Sequence, residues 1–418
     1  MNQKNFILFA AVIGNILEYY DFTVYLVFYS AIAKAFFPPT SEVAATLQSL
    51  GVFAAGFITR PIGGILFGYI GDKYGRRFAL ICSVLGMAAP TFAMGLIPTY
   101  EEIGFFAPFL LVMFRLLQGL SISGEGAGAA IFVLEHEGGL KPGFVTGLVH
   151  GSNIAGTIIA FIVGITIDYF FSSVPHSWRF AFILGGFMGI IGFYLRLQVS
   201  ETPIFTKLSE KKRTLKAPFI TVVKNSFSAM FLTFCVAGVT SSIFYMVKSY
   251  VNIFYKEILR IPTIHALIYS TYASIILMIF IPFFGMLVDI FGKARVMKCS
   301  VISMVFFSLP ALIGMASNNE LIRIFSLTLL AMISASMSGC AYVFVISLFS
   351  PSERFTGVGF SYNLGVALFG GTSPIISRWL VETTNLQYAA GIYVTVTASL
   401  FLLIMLLMKS HFKDQDFH

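Results

Sequence analysis

Residues 63 to 80 read Gly-Gly-Ile-Leu-Phe-Gly-Tyr-Ile-Gly-Asp-Lys-Tyr-Gly-Arg-Arg-Phe-Ala-Leu, a short charged hinge between two long apolar segments. Five residues of the hinge stand out by their charge or by the lack of a side chain: Gly68, Asp72, Gly75, Arg76 and Arg77. A weaker copy begins 217 positions after Gly68 and consists of Gly285, Asp289, Gly292, Lys293 and Arg295. A charged turn that occurs once in each half of an apolar chain predicts two related helical bundles.

The composition indicates an integral membrane protein. Apolar residues make up 57% of the 418 residues, charged residues make up 11%, and the mean hydropathy is +0.86. A soluble domain has roughly 45–50% apolar and about 25% charged residues. Runs of about 20 apolar residues are long enough to cross a bilayer as helices, so we predict an all-α fold with twelve transmembrane helices. Their predicted positions are 6–33, 49–71, 78–98, 105–134, 143–171, 179–197, 227–255, 265–290, 297–317, 321–349, 356–380 and 387–408.

The distribution of lysine and arginine sets the predicted orientation. Loops on the side of the N-terminus carry 16 of these residues, and loops on the opposite side carry 5. Because basic loops remain in the cytoplasm, we predict that both termini are cytoplasmic. The formal net charge of +8 follows from this asymmetry, so it does not indicate a nucleic-acid partner.

One hydrophilic stretch, at about 198–218, divides six predicted spans from six. We therefore predict an N-terminal six-helix bundle at 1–200, a cytoplasmic linker at 201–226, and a C-terminal six-helix bundle with a short tail at 227–418. A second repeat supports this division, because Thr146-Gly147 with Asn153 returns at an offset of 210 as Thr356-Gly357 with Asn363. Two parallel halves of this kind form one of the transporter architectures.

The sequence has no signature of soluble-enzyme chemistry. It lacks a Walker loop, a dinucleotide fingerprint, zinc-ligand spacing and a nucleophile elbow. We therefore predict no enzyme activity, no metal and no cofactor. The lack of an ATP site favours a secondary transporter driven by an ion gradient, with H⁺ as the coupling ion.

Four charged residues inside the predicted spans are candidates for proton coupling, because an intramembrane charge is costly and usually functional. Glu18 and Asp21 are three residues apart in the first span, which places them on one face of a helix. Arg115 and Glu125 lie in the fourth span and are too far apart to pair directly, at roughly 15 Å along the helix axis. We predict that Arg115 pairs with Asp21 or Glu18 and that Glu125 is a second titrating group. The alternative is a static lattice of ion pairs between helices.

The candidate substrate contacts lie near polar positions in both halves. Lys248 is the cation in the middle of a C-terminal span. Facing a cavity it would attract a carboxylate, whereas at the outer interface it would not affect specificity. Tyrosine faces bind quaternary ammonium groups by cation–π contact, although tyrosines also serve in interfacial belts and helix packing. The predicted substrate-binding residues are Lys248, Tyr19, Tyr20, Tyr245, Tyr362 and the repeated pair Asn153 and Asn363.

The motif Gly68-(x)3-Asp72-(x)2-Gly75-Arg76-Arg77 resembles the signature loop of the major facilitator superfamily. Further stretches resemble its metabolite:proton symporter branch, and residues 100–135 look most like the proline/betaine transporters of that branch. These stretches are Glu18-Tyr19-Tyr20-Asp21-Phe22, Arg60-Pro61-Ile62-Gly63-Gly64, Arg115-(x)2-Gln118-Gly119 with Gly124-Glu125, Trp178-Arg179 and Glu201-Thr202-Pro203.

The resemblance implies a twelve-helix fold with a central cavity, alternating access and proton-coupled symport of small polar metabolites. It also implies a cytoplasmic gate, with Asp72 near the start of span eleven. The gate candidates are Gly68, Asp72, Gly75, Arg76, Arg77 and Asp289. Two positions depart from the pattern: Lys248 stands where a betaine-type cavity would hold a neutral residue, and Ala294 stands where an arginine is usual.

Together these features predict a monomeric proton symporter of the inner membrane, embedded in the lipid bilayer, for a small zwitterionic solute such as proline or glycine betaine. Lys248 favours the alternative substrate class, a di- or tricarboxylate or another small organic acid. An uncoupled facilitator or channel is the alternative from another class, and the acids of the first and fourth spans argue against it. A transport-inactive sensor also remains open.

Overall fold

The computed structural model describes residues 3–37, 48–49, 51–52, 55–137, 141–211, 215 and 217–408, and every regular element within these ranges is a helix. The prediction of an all-α chain is therefore confirmed. The principal helices are α1 (Gln3–Val27), α2 (Tyr29–Phe36), α3 (Arg60–Lys73), α4 (Arg76–Leu96), α5 (Tyr100–Ile103), α6 (Phe106–Glu137), α7 (Pro142–Phe171), α8 (Arg179–Gln198), α9 (Pro203–Glu210), α10 (Pro218–Asn225), α11 (Phe227–Ile258), α12 (Thr263–Phe291), α13 (Lys293–Met315), α14 (Glu320–Ser347), α15 (Arg354–Thr384) and α16 (Ala389–Leu407).

Eleven helices of the described ranges are long and apolar enough to cross a membrane. The second predicted span, 49–71, overlaps α3, which has 14 residues; residues 50, 53 and 54 of this span lie outside the described ranges. Residues 212–214 and 216 of the predicted linker and residues 409–418 of the predicted tail also lie outside them. Several predicted limits agree with the structure within two residues, as for α8 and α14.

Three spans are interrupted where the sequence predicts continuous helices. The first predicted span, 6–33, divides at Phe28 into α1 and α2. The helix α11 contains π-helical turns at Met246–Tyr250 and Phe254–Ile258, and α15 contains one at Val366–Gly370. Single π-helical turns within α-helices frequently occur at functional sites, and the first of these holds Lys248.

The chain forms two compact units. The first comprises Met1–His136, Ser152–Asn225 and Pro351–Phe360. The second comprises Glu137–Gly151, Ser226–Ser350 and Ser361–His418. Each unit therefore includes a short segment from the other half of the chain. The division of the chain into an N-terminal bundle at 1–200, a linker at 201–226 and a C-terminal bundle with a short tail at 227–418 remains a prediction.

Small residues bring α3 and α6 into backbone contact within the first unit. A Cβ atom at Gly63 would lie 2.8 Å from the carbonyl carbon of Leu120, which is too close for any side chain. On the same face, the Ser123 hydroxyl donates a hydrogen bond to the Arg60 carbonyl oxygen at 2.7 Å. The small residues of α6 thus permit close helix packing, as membrane helices commonly require.

We expect Gly63→Ala to lower the free energy of unfolding by about 1–3 kcal/mol, because the added methyl group forces α3 away from α6. Thermal unfolding of the purified protein in detergent micelles measures this loss. Gly51→Ala is the matched control, since a Cβ atom there meets nothing within 4 Å. Equal unfolding midpoints for the two variants would contradict the close approach at Gly63.

Candidate functional site

Asp72 caps the first turn of α15. Its Oδ2 accepts a hydrogen bond from the Thr356 N–H at 2.9 Å, and its Oδ1 accepts one from the Phe355 N–H at 3.3 Å. A carboxylate is stabilised there because the first N–H groups of a helix lack intrahelical partners and the helix dipole is positive at that end. Gly68 permits the approach, since a Cβ atom there would lie 2.6 Å from Thr356 Cα. The expected position of Asp72 at the start of span eleven is confirmed, and its role in a gate remains a prediction.

Three further buried charges close a network around Asp72. Arg76 Nη1 lies 3.3 Å from Asp72 Oδ1, and Arg76 Nε lies 3.3 Å from Glu135 Oε2. Arg354 Nη1 lies 3.3 Å from the other Glu135 oxygen, and all four side chains are at most 3% exposed. Two acids and two bases balance each other, and buried charges require such pairing. Sequence analysis missed Glu135 and Arg354 because each stands just outside a predicted span, where a charge normally faces water.

The backbone of the hinge is fixed by Gly75 and Glu201. Gly75 has a φ of 117°, a conformation that L-residues with a side chain rarely adopt. The Glu201 carboxylate then accepts hydrogen bonds from the Arg76 N–H at 3.2 Å and from the Arg77 N–H at 3.0 Å. The Arg77 side chain donates to the Leu197 carbonyl oxygen at 2.6 Å. The first turn of α4 is thereby joined to the end of α8 and to the segment that follows it.

The second copy of the hinge repeats the carboxylate cap. Asp289 Oδ1 accepts a hydrogen bond from the Gly143 N–H at 2.6 Å, and Oδ2 accepts one from the Phe144 N–H at 2.9 Å. These N–H groups belong to the first turn of α7. Gly292, with a φ of 88°, takes the place that Gly75 has in the first copy. Each copy of the hinge thus caps a helix of the other half of the sequence within its own compact unit.

A second group of buried carboxylates, Glu18, Asp21 and Glu125, lies in the first unit. Glu125 forms an ion pair with Arg196 of α8 and accepts a hydrogen bond from the Ser83 hydroxyl at 2.8 Å. Neither oxygen of Glu18 has a hydrogen-bond partner among the residues that the structure describes. Sequence analysis missed Arg196 because it stands one residue before the predicted end of span six, where arginine side chains commonly reach water.

Arg115 lies in a polar and aromatic environment. Its Nη1 donates a hydrogen bond to Gln118 Oε1 at 2.7 Å. The guanidinium carbon lies 4.8 Å from the ring centroid of Phe22 and 4.4 Å from that of Tyr25, within the range of cation–π attraction. The pairing of Arg115 with Asp21 or Glu18 remains a prediction.

The predicted substrate contacts of the first unit differ in their surroundings. The Tyr20 side chain is buried, and its hydroxyl donates to the Ala181 carbonyl oxygen at 2.8 Å, which joins α1 to α8. Asn153 is buried and accepts a hydrogen bond from the Asn15 amide. Tyr19 is half-buried. A part in substrate binding remains a prediction for all three.

The second unit contains a row of rings that begins beside Lys248, which is half-buried. Lys248 Nζ lies 5.9 Å from the ring centroid of Phe244, and the centroid of His150 lies 5.5 Å from that of Phe244. The next ring, Tyr342, has its centroid 4.6 Å from that of His150, and Tyr362 follows at 5.1 Å. The predicted residues Lys248 and Tyr362 therefore lie near the two ends of one row.

His150 is the member of this row that sequence analysis did not single out. Its Nδ1 lies 3.0 Å from the Ser338 carbonyl oxygen, which can only accept, so the Nδ1–H donates this hydrogen bond. Tyr245 packs edge-on against Phe244 with centroids 5.6 Å apart. Asn363 is buried directly after Tyr362 in α15. A lone histidine in an apolar segment has no sequence pattern that marks it as functional.

A family model described as Major Facilitator Superfamily matches residues 11–279. The chain belongs to the major facilitator superfamily. Similar curated proteins include the glycine betaine/proline/ectoine/pipecolic acid transporter OusA of Dickeya dadantii (strain 3937), which is 32% identical over 415 residues that cover 96% of this chain and 82% of that protein. A putative proline/betaine transporter of Staphylococcus haemolyticus (strain JCSC1435) is 31% identical, with 93% and 84% covered. The inner membrane metabolite transport protein YhjE of Escherichia coli (strain K12) is 32% identical, with 97% and 94% covered.

Solved structures of the superfamily share the fold. The proton:xylose symporter XylE bound to 6-bromo-6-deoxy-D-glucose has a TM-score of 0.75 at 18% identity, with 97% of this chain and 95% of that chain covered. The human organic anion transporter MFSD10 has a TM-score of 0.73 at 15% identity, with 97% and 100% covered. The prediction of the twelve-helix superfamily fold is therefore confirmed. The chain is a multi-pass membrane transporter and not an enzyme.

We expect Glu135→Gln to lower the free energy of unfolding by about 3–5 kcal/mol, because it leaves an uncompensated positive charge beside Arg76 and Arg354. Thermal unfolding in detergent micelles again supplies the measurement. The double variant Glu135→Gln/Arg354→Gln removes one acid and one base and should recover part of the loss. The exposed pair Arg378 and Glu382 offers the control Glu382→Gln. A loss no larger than the control's would show that the network does not need Glu135.

Proposed function

We propose that this transporter is a proton-coupled symporter that imports a small zwitterionic compatible solute, such as proline or glycine betaine, by alternating access. In this proposal the chain works as a monomer in the inner membrane, with both termini in the cytoplasm and no cofactor besides the coupling proton. The observation that carries it is the group of buried carboxylates Glu18, Asp21 and Glu125 in the first unit. The names of the relatives as proline/betaine transporters support the solute class.

The buried carboxylates support proton coupling because an ionised acid inside a membrane span is costly. A proton that binds such an acid removes its charge and changes which partners it can hold. An uncoupled facilitator needs no titrating group at this depth. Glu125 with its partner Arg196, and the buried acids Glu18 and Asp21 of α1, supply the charged groups that coupling requires.

The row of rings in the second unit supports a zwitterion as the solute. The faces of aromatic rings attract a quaternary or secondary ammonium group, which is worth up to about 2 kcal/mol when the site excludes water. Lys248, next to the first ring of the row, would hold the carboxylate of the same solute. Tyr362, the last ring of the row, is a further proposed contact, and so are its neighbours Tyr245 and Asn363.

A carboxylate symporter is the second candidate, and Lys248 is the observation that favours it. A solute with two carboxylates would place one at Lys248 and would gain nothing from the ring faces. Gate residues and proton-binding residues would keep their roles in that case. The two candidates differ only in the solute that the second unit selects.

The choice between these solutes can be tested with the purified protein in vesicles under an imposed inward pH gradient. We expect labelled proline or glycine betaine to accumulate, and a protonophore to abolish the accumulation. Accumulation of succinate alone would establish the carboxylate symporter. Uptake to equilibrium that does not respond to the pH gradient would instead show an uncoupled facilitator.

We expect Lys248→Leu to raise the KM for the zwitterion about ten-fold or more, because a charge-assisted hydrogen bond contributes roughly 1.5–3 kcal/mol. Initial rates of uptake over a range of solute concentrations measure this change. Lys256→Leu is the matched control, since Lys256 is an exposed lysine of the same helix. Equal KM values for the two variants would show that Lys248 does not bind the zwitterion, and if succinate uptake is also unchanged, Lys248 lies at the membrane interface.

We expect Asp21→Asn and Glu125→Gln to abolish accumulation against a gradient while substrate binding persists, because each removes a buried carboxylate from the first unit. Accumulation in vesicles and binding of labelled solute in detergent are the two measurements. The exposed Glu382 provides the control Glu382→Gln. Full accumulation by both variants would remove these acids from the coupling mechanism.

A further inference from the structure

The ion pair of Glu125 and Arg196 packs directly against α1. A Cβ atom at Gly14 would lie 2.6 Å from Arg196 Nη2 and 3.0 Å from Glu125 Oε1. Gly14 therefore marks the point at which the buried pair meets the first helix. A larger residue at this point would take the space that the guanidinium occupies.

Glu18 stands one helical turn after Gly14 on the same face of α1. Residues four apart on a helix lie above one another, and side chains tilt back toward the N-terminus of their helix. The Glu18 side chain is thus directed toward the turn that touches Arg196. The charges that act on Glu18 are Glu125 of α6, Arg60 of α3, Arg196 of α8 and Asp21 of its own helix.

Among these charges, Glu18 accepts no hydrogen bond, and the nearby Arg196 has N–H groups that donate none. Both Glu18 oxygens lack a hydrogen-bond partner within the described part of the chain, and so do Nε and Nη1 of Arg196. The Arg196 atom in use is Nη2, which binds Glu125. An ionised Glu18 without a partner would be strongly unfavourable, whereas a protonated Glu18 is neutral.

We propose that Glu18 carries the coupling proton and that Arg196 changes its ion-pair partner when this proton is released. The inference rests on the proposed proton symport and names the residues that perform it. When Glu18 holds the proton, Arg196 pairs with Glu125, as in this structure. When the O–H bond of Glu18 breaks and the proton leaves to water, Arg196 shifts its unused Nε and Nη1 edge to the new carboxylate.

This change of ion-pair partner links the protonation of Glu18 to the positions of the helices. Arg196 belongs to α8 and Glu18 belongs to α1, so the shift changes how strongly these two helices are held together. Glu125 loses part of its partner at the same step and keeps the Ser83 hydroxyl of α4. A single proton therefore redistributes the contacts of four helices in the first unit. Arg196 acts as a positioning residue, since it touches neither the solute nor the proton.

The first test compares accumulation with exchange for Glu18→Gln in vesicles. Exchange of labelled for unlabelled solute at equal pH on both sides requires no net proton transfer, so we expect it to persist. Accumulation driven by a pH gradient should be lost, because the amide cannot release a proton. Glu382→Gln is the control and should match the wild type in both assays. Full accumulation by Glu18→Gln would overturn the proposal.

The second test removes Arg196 without leaving an unpaired charge. The double variant Glu125→Gln/Arg196→Gln deletes both members of the ion pair, which avoids the large cost of breaking it on one side. We expect solute exchange to persist and pH-driven accumulation to be lost, since the ionised Glu18 then has no arginine with which to form an ion pair. Arg378→Gln, at an exposed arginine, is the matched control. Normal accumulation by the double variant would show that the pair is a static structural contact.

The third test measures how the rate of solute exchange by the Glu125→Gln variant depends on pH. With its usual partner gone, Arg196 is free to pair with Glu18, which favours the ionised form. The pH midpoint of exchange should therefore move to lower pH by about one unit or more. An unchanged midpoint would overturn the exchange of partners. If wild-type protein exchanges no zwitterion, the proposed substrate class fails, and if it exchanges without responding to a pH gradient, the symport and this inference fail together.

Discussion

A buried charge must find its counter-charge or its hydrogen bonds inside the protein, and this constraint governs the capped carboxylates of the two hinges and the buried ion pairs of the first unit. Asp72 and Asp289 meet it with main-chain N–H groups at the first turns of α15 and α7. Arg76, Glu135 and Arg354 meet it by mutual pairing. Glu125 meets it with Arg196, whereas Glu18 has no such partner within the described ranges. Glu18 therefore differs from these other acids, because neither of its oxygens accepts a hydrogen bond within the described ranges.

The two hinges share a carboxylate that caps a helix, and they differ in the charged residues around it. Both place a carboxylate on the N-terminus of a helix that comes from the other half of the sequence. The first hinge adds a buried network of arginines and glutamates, and the second has Ala294 at the position where the first has Arg77. Helix capping needs only a carboxylate and a nearby glycine, so it tolerates the loss of the arginines. The strength of the two hinges can therefore vary independently of the repeated fold.

Hydropathy located most of the membrane spans within a few residues, because it depends on local sequence. The position of Asp72 at the start of span eleven was expected only from the resemblance to the superfamily, because the two lie far apart in the sequence. The break at Phe28 and the π-helical turns of α11 and α15 could not be predicted, since they depend on what packs around them. The partners Glu135, Arg196 and Arg354 were missed for a related reason. Each lies at the edge of a predicted span and forms its ion pair with a residue that is distant in the sequence. His150 was missed because a single imidazole carries no spacing that could reveal its neighbours.

The π-helical turn at Met246–Tyr250 divides α11 into two stretches with separate rotational phases. One additional residue in a turn rotates everything that follows by about 100° relative to a continuous α-helix. Phe244 belongs to the stretch before the turn, and the exposed Lys256 belongs to the stretch after it. Insertion or deletion of a single residue at this turn would therefore change which side chains share a face with Lys248. In the proposed symporter, such a change would alter the solute preference without any substitution in the row of rings.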